Sequence, residues 1–276
     1  MHALRKSVGL VLLSFLVAAG TAAQAAQQQQ PQQPPPAAAA PAAPAAPAAP
    51  PVNLEEEKDY QTFFDIAREA AQQQVELGEA FLVKYPDSRY RGSVYTRLVN
   101  AYLSLGDVDK LFVAGEQALA INPDNVDVLS VVAYAVPRRI GASDPDGPSK
   151  LQKVEKYSLH AVEVLNALAK PEGLTDEEFT QAKNDKLAMA HSGLGMVNYH
   201  KRNFAAMASE FEQATTLAAS PDPTDFYLLG ISYQQVRRFA DAVTAFGKCA
   251  EVPWAFQDQC KQNKEQSQKQ AALQPK

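Results

Sequence analysis

The chain is short of most of the residues and runs that carry enzyme chemistry. It has only two cysteines, Cys249 and Cys260, and after Arg5 and Lys6 its only histidines are His160, His191 and His200. There is no H-E-x-x-H, no G-x-S-x-G, no phosphate-binding glycine loop and no C-x-x-C pair, which removes the sequence warrant for zinc-protease, serine-hydrolase, nucleotide-dependent or dithiol chemistry. His191 and His200 are nine residues apart, half a turn off a common helical face, so they are poorly placed to share a metal. Asp144-Pro145-Asp146-Gly147 opens like a calcium loop, but the spacing after it supplies no third acidic ligand and no closing glutamate, and it reads as a turn. No carboxylate pair stands apart as an acid and base. The sequence therefore predicts no catalytic residue, no metal and no cofactor.

Basic clusters are also missing. Lys and Arg number 26 against 31 Asp and Glu, and without Arg5 and Lys6 the net charge is near −7. No run exceeds a basic doublet, which disfavours nucleic acid and anionic lipid as partners. The strongly apolar run is Val8 to Ala19, 12 residues, where a membrane span needs about 20. With Arg5-Lys6 before it and Ala23-Gln24-Ala25 after it, residues 1–25 read as an export leader with an A-x-A cleavage site. The alternative is an uncleaved anchor. After cleavage no membrane span is expected, and the location is exported, periplasmic or otherwise extracytoplasmic.

Residues 26–52 hold only Ala, Pro and Gln apart from Val52, with nine prolines and no charge. Such a stretch lacks the apolar side chains for a core and favours extended chain. It is predicted to be a spacer that holds the rest away from a membrane or threads a cell-wall mesh, or else an unstructured N-terminus with no task. Folded structure is expected from Asn53, a cap residue followed by Glu55-Glu56-Glu57, and extends over 53–270.

The most informative stretch is Phe226 to Cys249, because a weaker copy lies 35 residues upstream. Leu194-Gly195 answers Leu229-Gly230, Arg202 answers Arg237, Phe204 answers Phe239, Phe211 answers Phe246 and Ala214 answers Cys249. Each copy reads as two helices: Phe226, Leu229 and Tyr233 share one stripe, and Ala242, Phe246 and Cys249 share the next. Gly230 in mid-helix costs roughly 0.5–1 kcal/mol against alanine. Close approach of the paired helix is the expected reason.

This pattern resembles the tetratricopeptide repeat family, on Phe226, Leu229, Gly230, Tyr233, Ala242, Phe246, Cys249 and Pro253. A second match runs through Tyr95, Leu98, Tyr102, Gly106, Leu111, Ala118 and Pro123, with Val99 and Gly115 departing from the usual glycine and aromatic; a looser copy has His191, Asn198 and Met207 at variant places. Phe81 to Ser88 is similar to the ends of such units in bacterial envelope assembly proteins. The resemblance implies an all-α, right-handed superhelical solenoid. Its expected parts are an irregular hairpin at 53–86, repeats at about 92–125, 126–169, 176–220 and 223–253, and a cap helix at 254–270. Residues 138–149 read as an enlarged inner loop, from Gly141, Pro145, Gly147 and Pro148.

In the family, ligands lie along the concave side made by the first helices. Carried over, that face selects Asn100, Tyr134, Met196, Tyr199, His200, Tyr227, Ile231 and Gln234, a neutral, amide- and aromatic-rich set. Only Asn100 fits the family arrangement that clamps a terminal carboxylate. A protein or peptide partner is expected, and hence a non-catalytic exported scaffold in envelope assembly or organisation. A cell-wall or polysaccharide binder using tyrosines as stacking platforms is the second reading; an α-helical enzyme is the third and would require a deep pocket with perturbed acids. The oligomeric state is not readable. In an exported protein Cys249 and Cys260 can form a disulfide that pins the cap, or remain two packed thiols.

Overall fold

A computed structural model describes residues 53–141 and 143–274; the leader and spacer expectations fall outside the described residues. The described chain is helical throughout: α1 Leu54–Phe64, α2 Ala71–Lys84, α3 Arg91–Leu105, α4 Val108–Ile121, α5 Val126–Ala135, α6 Gly147–Ala167, α7 Asp176–His200, α8 Phe204–Leu217, α9 Pro223–Gln235, α10 Phe239–Ala250 and α11 Gln257–Ala272. Neighbouring helices pair in chain order, and α3, α5 and α7 also touch one another as successive first helices. This is a stack of helical hairpins closed by a single last helix.

Local chemistry fixes where the helices begin. Asn53, Asp107, Asn125, Thr175, Asn203 and Asp222 each accept a backbone N–H of the first turn, which satisfies donors that no helix can satisfy internally. At Thr175 the bond is reciprocal, with Glu178 reaching back to the cap backbone, so the 25-residue α7 starts on a full capping box.

The turns inside three hairpins are built alike. Gly106, Arg202 and Arg237 all adopt left-handed φ, at 73°, 57° and 62°. In each, the next residue's N–H bonds a carbonyl five residues back: Asp107 to Tyr102, Asn203 to Asn198 and Arg238 to Tyr233, at 3.0, 2.9 and 2.8 Å. That closing pattern favours glycine, and only the first turn has it. Arg202 is exposed, so Arg202→Gly is expected to raise stability by up to about 1 kcal/mol through relief of left-handed strain. A urea midpoint unchanged or lowered would contradict this account of the turn.

Between hairpins, a tyrosine clamp recurs. Tyr102 donates to Glu79 of α2 at 2.6 Å, and Lys110 reaches the same carboxylate at 2.9 Å. Tyr233 donates to Glu212 of α8 at 2.6 Å, with Arg238 at 2.9 Å. Hydrogen bonds from Tyr102 and Lys110 hold the Glu79 carboxyl below its usual value, and burial pushes both phenols up. In the looser copy Asn198 cannot reach so far, and Lys201 alone meets Glu155 of α6 at 2.6 Å.

Three helical glycines mark sites of close approach. A Cβ on Gly230 would lie 2.7 Å from the Phe246 ring, and one on Gly195 2.8 Å from the Phe211 ring. At Gly115, where the sequence lacks the usual aromatic, a Cβ would lie 2.6 Å from Val132 of α5. The neighbouring repeat fills that space instead.

Two apolar clusters form the interior. One runs from Phe63 on α1 through Leu98, Leu111, Leu129 and Leu165 to Val197 on α7; the other joins Met196, Met207, Phe211, Leu229, Tyr233 and Phe246. They meet along α7.

Two expected boundaries shift. Gly147 and Pro148 belong to the first turn of α6, because proline at the first helical positions loses no hydrogen bond. Trp254 and Phe256 precede α11 rather than lying on it. The inner loop folds back on α4: Ile140 packs against the first cluster, and Lys150 sits between Asp144 at 3.2 Å and Asp109 at 3.5 Å.

Candidate functional site

The face formed by the first helices α3, α5, α7 and α9 is not one open groove. Nearly all of α5 is buried, including Asp127 and Ser130. Its expected surface residue, Tyr134, is half-buried and donates its hydroxyl to Asp222 at the start of α9, while the Arg138 guanidinium lies over its ring at 3.9 Å. Met196 is buried in the second cluster. Both are corrections to the expected binding face: Asp222 at the start of α9 and Arg138 take up the hydroxyl and ring of Tyr134, and side chains of α8 and α9 close over Met196.

What holds the middle shut is a pair of buried ionic contacts. Lys186 of α7 meets Asp127 in the first turn of α5. Arg138, just past α5, meets Asp225 of α9 at 2.6 Å, with side chains only 17% and 7% exposed. Ser192 of α7 donates to both Asp225 oxygens at 2.7 and 2.8 Å and accepts from Arg138. Arg138 also donates to the Tyr134 carbonyl. Burial pushes the Asp225 carboxyl up to about 6, against the opposing pull of Arg138 and the Ser192 hydrogen bonds. Burial likewise raises the Tyr134 phenol. This joint ties α5, α7 and α9 where the two apolar clusters meet. No local pattern in the sequence announces it: Arg138 follows a helix-stopping proline and its partner lies 87 residues on.

On either side of the joint the remaining residues separate. Toward the N-terminal end, Asn100 is half-buried; its amide donates to the Thr96 carbonyl at 3.1 Å, and its Oδ1 is buried without a partner. Toward the C-terminal end, Tyr199 is 43% exposed and meets His200 edge-on; His200 Nε2 lies 2.9 Å from the Pro137 carbonyl oxygen. Ile231 is half-buried against the second cluster. Gln234 donates to Ser267 of α11 at 2.8 Å, so the last helix covers it.

Tyr227 sits in a cluster that the sequence did not reveal as such. Its ring lies 6.2 Å from Phe256, nearly parallel, and 6.3 Å from Trp254, edge-on; Trp254 and Phe256 are 5.3 Å apart. Such offset and edge contacts are the arrangements aromatic quadrupoles favour. Trp254 Nε1 donates to the Cys249 carbonyl at 3.0 Å, so its polar atom is spent inward. Phe256 is 49% exposed. The link that carries Trp254 and Phe256 is held at both ends, since Cys249 on α10 and Cys260 on α11 are joined as a disulfide with Cα atoms 5.9 Å apart. The result is a rigid aromatic shelf at the end of the solenoid.

Other features carry less. A surface cleft of about 410 Å³ lies between α4 and α6, lined by Leu119, Leu129, Tyr157 and His160 among others; His160 pairs with Asp124 at 2.7 Å. His191 pairs with Glu210 at 2.7 Å. Among the described residues no three His, Cys, Asp or Glu side chains converge as a metal site, and no helix is long and apolar enough to cross a membrane.

No family model matches the chain, and no curated protein matches it in sequence. Solved structures do. PilW, a widely conserved type IV pilus biogenesis factor, is similar with a TM-score of 0.50 and 17% identity, over 80% of this chain and 92% of that one. TTC0263, a thermophilic TPR protein of Thermus thermophilus, is similar with a TM-score of 0.45 and 17% identity, over 79% of this chain and all of that one. At this identity the likeness to PilW speaks for the fold. Taken with the Leu-Gly, tyrosine and aromatic positions that build its hairpins, it shows that the chain has the tetratricopeptide-repeat fold, an all-helical solenoid of paired helices.

Proposed function

We propose that the protein is a non-catalytic scaffold that binds a protein or peptide partner, and that the C-terminal part of the solenoid, around Tyr199, Tyr227 and Ile231, makes the contact. The carrying observation is the aromatic shelf. Tyr227, Trp254 and Phe256 form a preformed, partly exposed cluster on a rigid base. Aromatic anchors of this kind dominate protein interfaces, because they bury large area at little entropic cost. The tied-off middle face and the covered Gln234 leave this end as the accessible part of the expected surface, with Asn100 as a separate polar point near the other end.

The fold of a pilus biogenesis factor and the export leader read in residues 1–25 support a place in the cell envelope, in assembly or organisation of an exported structure. The full chain, cross-linked in its native envelope and purified, is expected to bring down a stoichiometric protein. Tyr199→Ala and Tyr227→Ala are expected to cut that recovery about tenfold or more, as loss of an aromatic anchor does, while the helical circular dichroism stays intact. Undiminished recovery with both variants folded would remove this face as the site. Glycan recovered without protein would favour the wall-binding reading instead.

A further inference from the structure

We infer that the aromatic shelf binds the proline-rich segment of a second copy of this chain, a deepening of the function proposed above that rests on the shelf being a protein-binding surface. The shelf is apolar and its neighbouring charges are already paired: Lys248 with Glu251 and Lys261 with Asp258, each at 3.1 Å. A matching occupant is uncharged and presents flat apolar rings. Residues 26–52 fit this, with nine prolines and no charge.

Within that segment Pro41, Pro44, Pro47 and Pro50 recur every third residue. Polyproline II has three residues per turn, so in that conformation the four rings fall along one edge. Proline-rich ligands of this form dock on aromatic-lined grooves, and they do so with little ordering cost.

Reach decides between the chain's own segment and another copy's. The segment ends at Val52, one residue before Asn53, the cap of α1, and the shelf lies beyond α9 and α10. From α1 to α9 the stack takes four steps between first helices, of which α3 to α5 and α5 to α7 are direct contacts; at about 8–10 Å or more per step the two ends are roughly 30–40 Å or more apart. Pro50 lies three residues from Asn53 and can extend only about 9 Å, and Pro41 about 37 Å. The proline edge as a whole therefore cannot lie on its own shelf. On a second molecule nothing restrains it, and the contact joins the N-terminal segment of one copy to the C-terminal end of the next.

Trp254 is the only tryptophan, so its emission reports on the shelf directly. The full-length gene is expressed in an exporting host, the released product purified, and its mass and tryptophan emission followed across a concentration series by analytical ultracentrifugation and fluorescence. Wild type is expected to self-associate as concentration rises, with the emission shifting in step. Replacing Pro41, Pro44, Pro47 and Pro50 together by alanine is expected to weaken association at least about tenfold, and Phe256→Ala to do the same. A wild type that stays monomeric, or either variant associating like wild type, overturns the inference. A chain that captures a foreign partner yet stays monomeric overturns this inference alone; one that does neither overturns the scaffold reading as well.

Discussion

Replacing Gly193 by alanine is expected to destabilise the protein by about 3 kcal/mol, at the upper end of what overpacking a core costs. Gly193 is buried on α7 where it crosses α5. An added Cβ would lie 2.5 Å from the Ala133 carbonyl oxygen, 2.8 Å from its carbon and 3.0 Å from Ser158 Oγ. The first two are backbone atoms of a helix that is itself enclosed, so no side-chain rotation relieves the contact. Alanine gains about 1 kcal/mol of helix propensity over glycine, and the clash exceeds it.

Gly247→Ala supplies the contrast. Its Cβ would meet only the end of the Lys264 side chain, at 3.7 Å or more. There the propensity gain stands alone, and the substitution is expected to stabilise by up to about 1 kcal/mol. Urea unfolding followed by far-UV circular dichroism measures both. Equal effects at the two glycines would mean that α5 and α7 do not approach as described.

The second large effect is at the buried joint. Arg138→Met removes the guanidinium and leaves Asp225, only 7% exposed, with Ser192 as its neighbour. Breaking one side of a buried ion pair costs about 3–5 kcal/mol, because the charge left behind has no compensation. The loss should depend on pH, and its sign follows from Asp225. In the native protein its carboxyl is already raised to about 6 by burial, so the folded state holds the proton more tightly than the unfolded state. A raised carboxyl costs stability fully above its folded value, and the cost fades as pH falls through 6 toward the ordinary range. Without Arg138 the carboxyl rises further. The variant is therefore expected to lose more stability near pH 7 than near pH 5, where Asp225 becomes neutral. Asp225→Asn, which cannot ionise, should lack this pH component. An Arg138→Met loss equal at both pH values would show that Asp225 does not change its protonation between them, and would contradict the raised carboxyl.

Both effects lie on or beside α7, and this bears on function. The two apolar clusters meet there, and the buried ionic contacts fix α9 against α5 and α7. That fixes the base from which Tyr227 reaches the shelf. Loosening the joint should lower stability and weaken partner capture together while the individual hairpins stay helical, whereas the surface substitution Tyr199→Ala should weaken capture with stability unchanged.

The repeat architecture was legible in the sequence because it rests on local chemistry. Leu229-Gly230 and Leu194-Gly195 mark close helix pairs whose spacing is set within one hairpin, and Thr175 with Glu178 announces the start of α7 three residues apart. Asn53 before Glu55-Glu56-Glu57 follows the same short-range logic. The surface was less legible. Tyr134 and Met196 stand at positions that face inward along the curve, and only the stacking of the next helix decides whether such a side chain meets a ligand or the core. Gly147-Pro148 reads as a loop by composition, yet those residues suit a first helical turn equally well.

What the amino-acid order determined by itself is the hairpin: helix periodicity, caps and the small residues that let paired helices meet, all interactions spanning a few residues to about one repeat. What only the tertiary structure decided is how the hairpins close on one another. Arg138 and Asp225 are 87 residues apart, Lys186 and Asp127 are 59 apart, and Tyr227 meets Trp254 and Phe256 across a whole helix. Nothing local distinguishes an arginine bound for a buried carboxylate from one bound for water. Its fate depends on the low-dielectric space that distant helices enclose, and that space exists only once they have packed.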